Sequence, residues 1–182
     1  MARTFDTLVM CVAIVVVSLA AAPAQPPKTP QPGPEHKRLG YFVGTWTHTG
    51  EMKPGPMGPG GKMSWTETCE WFEGSFAVVC RSEGKGPTGP MKGIGILSYS
   101  PEEKVYTYVG TDNSGMTMTS VPKGTVQSDT WTYHDESTMG GQKIKTRVTI
   151  KQVSPTVQTF TMEIQGVDGK WMPMMESQGT KM

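Results

Sequence analysis

Apolar and polar residues alternate along most of this chain with a period of two. The pattern is plainest late in the sequence. Ile144, Thr146, Val148 and Ile150 share one face of an extended segment while Lys145, Arg147, Thr149 and Lys151 take the other, and Phe160, Met162 and Ile164 then alternate with Thr161 and Glu163. Strand-length segments of this kind recur at 45–53, 62–72, 76–84, 92–100, 105–111, 116–122, 125–134, 142–153, 156–165 and 171–179. The links between them, such as KPGPMGPGG, GKGPTGP, DNSG, STMGG and VDG, are built from turn residues. Ten strands on short links predict an antiparallel meander. Closing a meander removes its exposed edges, so the expected fold is all-β, an antiparallel up-and-down β-barrel of about ten strands, with a two-sheet sandwich as the alternative. PEHKRLGYFVG, residues 34–44, departs from the period of two and predicts one or two helical turns capping a barrel end, stopped by Gly44.

The segment CEWFEGSFAVVC poses a separate question, because Cys69 and Cys80 are the two cysteines outside the N-terminal leader. Met63, Trp65, Glu67, Cys69 and Trp71 fall on one face of the outgoing strand, and Phe76, Val78 and Cys80 return. A two-residue II′ turn at Gly74 and Ser75 sets Cys69 directly opposite Cys80, within reach of a disulfide. A turn one residue earlier sets Cys69 opposite Val78 and forbids the bond. The spacing is not CxxC and no histidine lies nearby, which disfavours a metal or redox site.

Residues 1–24 read as a secretory signal peptide: Arg3 near the start, an apolar run over 8–22 that is shorter than the roughly 20 residues needed to span a bilayer, and the small-residue pattern Ala22-Pro23-Ala24. Export, secreted or periplasmic, would place the cysteine pair in an oxidising compartment. Residues 25–35 are a proline-rich polar tether, which leaves 36–182 as one domain. The whole chain of 182 residues carries a formal charge of +1, and the leader holds one Arg and one Asp, so the remainder is also +1. No field strong enough to draw nucleic acid or an acidic membrane results, and after cleavage no membrane anchor remains.

In LGYFVGTWTHTG a short helix leads into Gly44-Thr45-Trp46, which resembles the entry segment of lipocalin-like, or calycin-type, barrels. With GIGILSYSPEEKVYTYVGTD, in which Tyr99-Ser100-Pro101 stands at a strand end, a terminal strand after DGK, and the cysteine hairpin, residues 36–182 resemble DUF1579, a bacterial family of uncharacterised secreted lipocalin-like proteins. The resemblance implies a fold and no established activity. A more distant resemblance, through the Gly-x-Trp, is to nitrobindin-type haem barrels, in which a histidine near the chain's end ligates iron. The histidines here are His36, His48 and His134, and the terminal strand has none, so this resemblance implies no haem site.

A ten-stranded barrel is wider than the eight strands whose side chains fill their own interior, and an interior cavity for a small apolar or amphipathic ligand is therefore the expected function. Its expected lining is Trp46, His48, Trp65, Glu67 and Trp71. His48 shares the face of Trp46 and is read either as a ligand contact or as a hydrogen-bonded structural group. Glu67 interrupts an apolar face, and a buried carboxyl must be paired or protonated; it either meets the ligand or forms a structural ion pair. His134 beside Asp135 and Glu136 reads as a solvated strand end. The 14 methionines, with clusters at 116–118 and 172–175, read as strand filler, as an adaptable apolar lining, or as soft ligands for Cu(I). No acid/base pair of carboxylates and no Ser-His-Asp arrangement is legible, so no enzyme, metal or cofactor is expected. The alternative class is a structural or interaction module with a filled interior, its function on loops such as 53–62.

Overall fold

Gly33 and Pro34 open the folded region. In the computed structural model, which describes residues 30–55, 58–114, 120–139 and 142–182, Pro34 starts helix α1 (Pro34–Arg38), where its fixed φ suits the first turn and its missing N–H goes unneeded. A 3₁₀ turn, Leu39–Tyr41, follows. Ten strands come next: β1 (Gly44–Met52), β2 (Gly61–Trp71), β3 (Ala77–Gly86), β4 (Gly89–Ser100), β5 (Val105–Asp112), β6 (Lys123–Gln127), β7 (Thr130–Met139), β8 (Gln142–Ser154), β9 (Val157–Gln165) and β10 (Trp171–Lys181). Each pairs antiparallel with its sequence neighbours, and β1 pairs with β10 to close the barrel. The expectations for 1–24 and for Met116 to Met118 fall outside the described residues.

The number of strands is as expected, but their membership is not. The segment 125–134, read as one strand, is cut by a hairpin at Ser128, whose φ is 55°, and Asp129, giving β6 and β7. Ser and Asp are turn formers, and here they outweigh the alternation on either side. The expected strand at 116–122 lies mainly outside the described residues, and 120–122 carry no strand. β6 is short: its register with β5 is confined to Tyr106↔Gly124 and Thr107↔Lys123.

The cysteine hairpin has the expected register and a different turn. Cys69 faces Cys80 with a Cα–Cα distance of 4.0 Å, and the two form a disulfide. Phe72 N donates to Ala77 O (2.9 Å) and Ser75 N to Phe72 O (2.9 Å), so the loop holds four residues, 73–76, and both Gly74 (φ 84°) and Ser75 (φ 58°) lie in the left-handed region. A II′ turn would need positive φ at Gly74 alone. Widening the loop symmetrically about Gly74 and Ser75 leaves the pairing unchanged. Because the crosslink closes a sequence separation of 11, its loss in a Cys69→Ala/Cys80→Ala variant should cost about 2 to 3 kcal/mol, read as a lower urea midpoint.

The helical segment caps one barrel end. Leu39 and Phe42 are buried there with Val78, Leu97, Tyr106 and Trp131, and Trp131 packs edge-on against Phe42 (4.9 Å) and Tyr106 (4.6 Å). Polar fasteners reach several strands. Tyr106 Oη donates to Glu35 Oε2 (2.7 Å), Tyr41 Oη to the carbonyls of Ser154 and Val157, and Trp46 Nε1 to the carbonyl of Phe42 (2.8 Å). Burial raises the phenols of Tyr41 and Tyr106, which keeps both in the donating form. No helix among the described residues is long and apolar enough to cross a membrane.

Candidate functional site

Strand parity decides what the barrel interior is made of. On β8 and β9, Ile144, Thr146, Val148, Ile150, Gln158, Phe160, Met162 and Ile164 point inward, and cross-strand pairs such as Val148↔Met162 and Ile150↔Phe160 carry the face from one strand to the next. Most of these side chains are half-buried rather than buried.

In the middle of that interior, three of the five expected lining residues come together. His48 is 4% exposed and stacks on Trp65, ring centroids 4.5 Å apart and planes 2° apart. Its Nε2 lies 3.8 Å from Glu67 Oε2, beyond hydrogen-bond distance. The stacking depends on close approach. His48 pairs with Gly179 and Trp65 with Gly84, and a Cβ at Gly179 would stand 2.6 Å from His48 Cε1. Only a residue without a side chain leaves room for the imidazole to lie there.

Trp46 and Trp71 stand on the capped side of this group. Trp46, 1% exposed, is fixed to the cap, with Lys181 Nζ 5.1 Å from its ring, and Trp71 packs against the capped core with its ring against Gly40. Trp46 also borders the cluster, facing Glu67 across β1 and β2 with its ring 6.4 Å from that of His48, whereas Trp71 belongs to the capped core.

Other residues belong to the site that the sequence reading did not single out. Gln158 (4% exposed) and Ser177 (8%) are buried on the inner face of β9 and β10, and Gln158 lies with His48 against Gly179. Both ring nitrogens of His48, Gln158 Oε1, Ser177 Oγ and Tyr133 Oη are buried and make no hydrogen bond among the described residues. Tyr108 spreads over Gly95 and Gly110, close enough to Glu67 to feel its charge. Gln158 could have been found, because it interrupts the apolar face of Phe160, Met162 and Ile164 as Glu67 interrupts its own. Ser177 could not, since a bulge between Pro173 and Met175 shifts the parity of β10.

Burial sets the protonation of the cluster. It pushes the Glu67 carboxyl up to about 7 and His48 down to about 4, so at neutral pH the imidazole is neutral and the carboxyl is close to its midpoint. Tyr108 is raised to about 12, by burial first and by the Glu67 and Asp112 charges second. The 3.8 Å approach of His48 to Glu67 is thus not an ion pair near pH 7. Glu67 also lies within 4.8 Å of the Cys69 and Cys80 sulfurs, but these are joined to each other and offer no thiolate.

Charge is sorted by face. Arg81, Lys85, Lys92, Lys145, Arg147 and Lys151 alternate with the inner positions and point outward. Lys181 is the inward exception, and at the capped end its Nζ donates to Tyr41 O (3.1 Å). Asp135, in contrast, shares the inner face of Trp131 and Tyr133. The expected solvated cluster at His134 is therefore divided by the pleat: His134 is exposed beside Trp171 (6.2 Å), Glu136 pairs outward with Lys143, and Asp135 faces in. Met52, Met175 and Met162 form one cross-strand row on the inner wall. A depression of about 580 Å³ around Thr49, Glu51, Thr161, Glu176 and Gln178 involves mainly outward positions.

No curated protein matches the sequence. Solved structures share the fold, among them these two. The Rv2717c protein from M. tuberculosis is 12% identical, with a TM-score of 0.57 over 82% of this chain and 98% of its own. The S-type phycobiliprotein lyase CPES from Guillardia theta is 15% identical, with a TM-score of 0.53 over 81% of this chain and 90% of its own. At the level of sequence, the model of one family matches residues 31–181, nearly the whole barrel and its cap, and the chain belongs to that family, described as protein of unknown function (DUF1579).

Proposed function

We propose that this protein is an exported carrier that binds a small apolar or amphipathic molecule inside the barrel, entering from the end opposite α1. One observation carries the reading: His48, Gln158 and Ser177 hold buried polar atoms with no partner among the described residues, beneath an inner wall of half-buried Ile, Val and Met side chains. Unpaired buried polar groups are costly, about 1 to 3 kcal/mol each, and a ligand that satisfies them recovers that cost. Trp65, His48 and Glu67 form the polar floor of the site, and the methionine row gives an adaptable wall. Trp46 and Trp71 shut the other end. Export rests on the apolar stretch 8–22 with its Ala22-Pro23-Ala24 end and is supported by the disulfide.

Native mass spectrometry of protein purified from an exporting host tests the reading, together with titration of the neutral apolar dye N-phenyl-1-naphthylamine. The expected results are a chain beginning at Gln25, an added mass removed by denaturation, and saturable dye binding that the native ligand displaces. A bare mass with no dye binding would overturn the proposal in favour of a filled, non-binding module.

A further inference from the structure

We propose, building on interior binding, that the ligand is a cationic amphiphile: a protonated amine head held at Glu67 and His48, with an apolar body lying against the inner wall of β8, β9 and β10. The first ground is the sorting of charge. Among the described residues the inner face remote from α1 carries Glu67, Asp135 and Asp112 and no Lys or Arg, while the strand cations alternate outward. Lys181, the inward exception, is held at the capped end by Tyr41 O. A carboxylate ligand would find no positive partner in this half of the barrel.

The second ground is independent of the acids. His48 is more than nine-tenths buried, faces the interior, and has no hydrogen-bond partner for either ring nitrogen among the described residues; Gln158 Oε1 and Ser177 Oγ share that condition. A neutral imidazole offers one acceptor, and an amide oxygen and a hydroxyl offer more. The set is rich in acceptors, and an ammonium head brings three N–H donors to it. Trp65 and Tyr108 supply aromatic surroundings that also favour a cation. A carboxyl held near its midpoint by burial becomes fully ionised once an ammonium pairs with it, so binding near pH 7 should release a fraction of a proton.

Three probes with one chain and different heads decide the matter: octylammonium, 1-octanol and octanoate, titrated calorimetrically into the oxidised protein at pH 7.5. The expected order is octylammonium at least tenfold tighter than octanol, with octanoate weakest. In Glu67→Gln the ratio of amine to alcohol affinity should fall toward one, and Asp135→Asn should lower it by a smaller factor, so the charge test stands even if the first variant folds poorly. Octanoate binding as tightly as octylammonium, or an amine advantage that survives in a folded Glu67→Gln, would overturn the assignment while leaving interior binding intact. If none of the three binds and the dye also fails to bind, interior binding itself falls, and the head-group assignment with it.

Discussion

Glu67→Gln should make the barrel more stable at pH 7 and above by about 2 to 3 kcal/mol and leave it unchanged near pH 4. Burial raises the folded-state Glu67 carboxyl from its usual value to about 7. A carboxyl shifted upward favours the unfolded state once the pH exceeds the unfolded value near 4.5, because the unfolded chain ionises first; the penalty grows as pH rises toward 7 and then levels off. At roughly 1.4 kcal/mol per unit the shift sets that scale. His48 works in the other direction. Its pKa is lowered to about 4, so its contribution is complete above about 6.5 and is lost as pH falls toward 4. In the parent protein the two slopes oppose each other and stability should vary little between pH 4 and 8. With Gln at 67, the His48 slope stands alone and stability should climb from pH 4 to 7. Urea denaturation at half-unit steps measures it. A Glu67→Gln variant that is less stable at pH 7 would mean that Glu67 is ionised and paired there, contrary to the 3.8 Å separation from a neutral imidazole.

What the sequence made legible follows from how local each feature is. The Cys69 to Cys80 register needed only alternation on two adjacent strands and a turn between them, and it emerged although the turn itself is a four-residue loop. The face shared by Trp46 and His48 was readable from strand parity, and so was the anomaly of Glu67. Where the reading failed, information from distant strands was required. Barrel closure brings β10 and β9 beside β1, and only then do Gln158 and Ser177 join His48. Trp46 and Trp71 share the inner faces of His48 and Glu67, so parity could not rank them; the cap does, by bonding the Trp46 indole at Phe42 and packing on Trp71, while Trp46 still faces Glu67 across the strands. Ser128 and Asp129 are turn residues inside an apparently continuous strand, and the alternation on both sides hid the hairpin. The Pro173 bulge likewise places Met172 and Met175 opposite inner-face positions, Ile164 and Met162, although their odd spacing assigns them to opposite faces.

Trp46→Ala should cost about 4 kcal/mol, the largest loss expected from any single truncation here, because Trp46 joins the cap to the barrel. Its ring is 1% exposed, lies 5.3 Å from that of Tyr41 and beneath Lys181 Nζ, and its Nε1 donates 2.8 Å to the carbonyl of Phe42. Phe42 in turn packs on Trp131. Removing the indole therefore leaves a cavity at the closed end and an unpaired carbonyl in the segment that closes it. Trp46→Phe keeps most of the volume and loses the donor, so about 1 to 3 kcal/mol should go with the hydrogen bond alone. Urea midpoints give both numbers, and hydrogen exchange of residues 34–43 gives their location. Faster exchange there at native pH, with β8 and β9 still protected, is the expected signature of a cap that detaches before the barrel opens. Equal losses of protection across cap and barrel would show instead that the two unfold as one unit. In that case Trp46 stabilises the whole barrel and does not serve as a hinge for its closed end. The distinction bears on function, because a cap that detaches alone would give the lumen a second entrance beside Trp71 and would shorten the lifetime of any bound ligand.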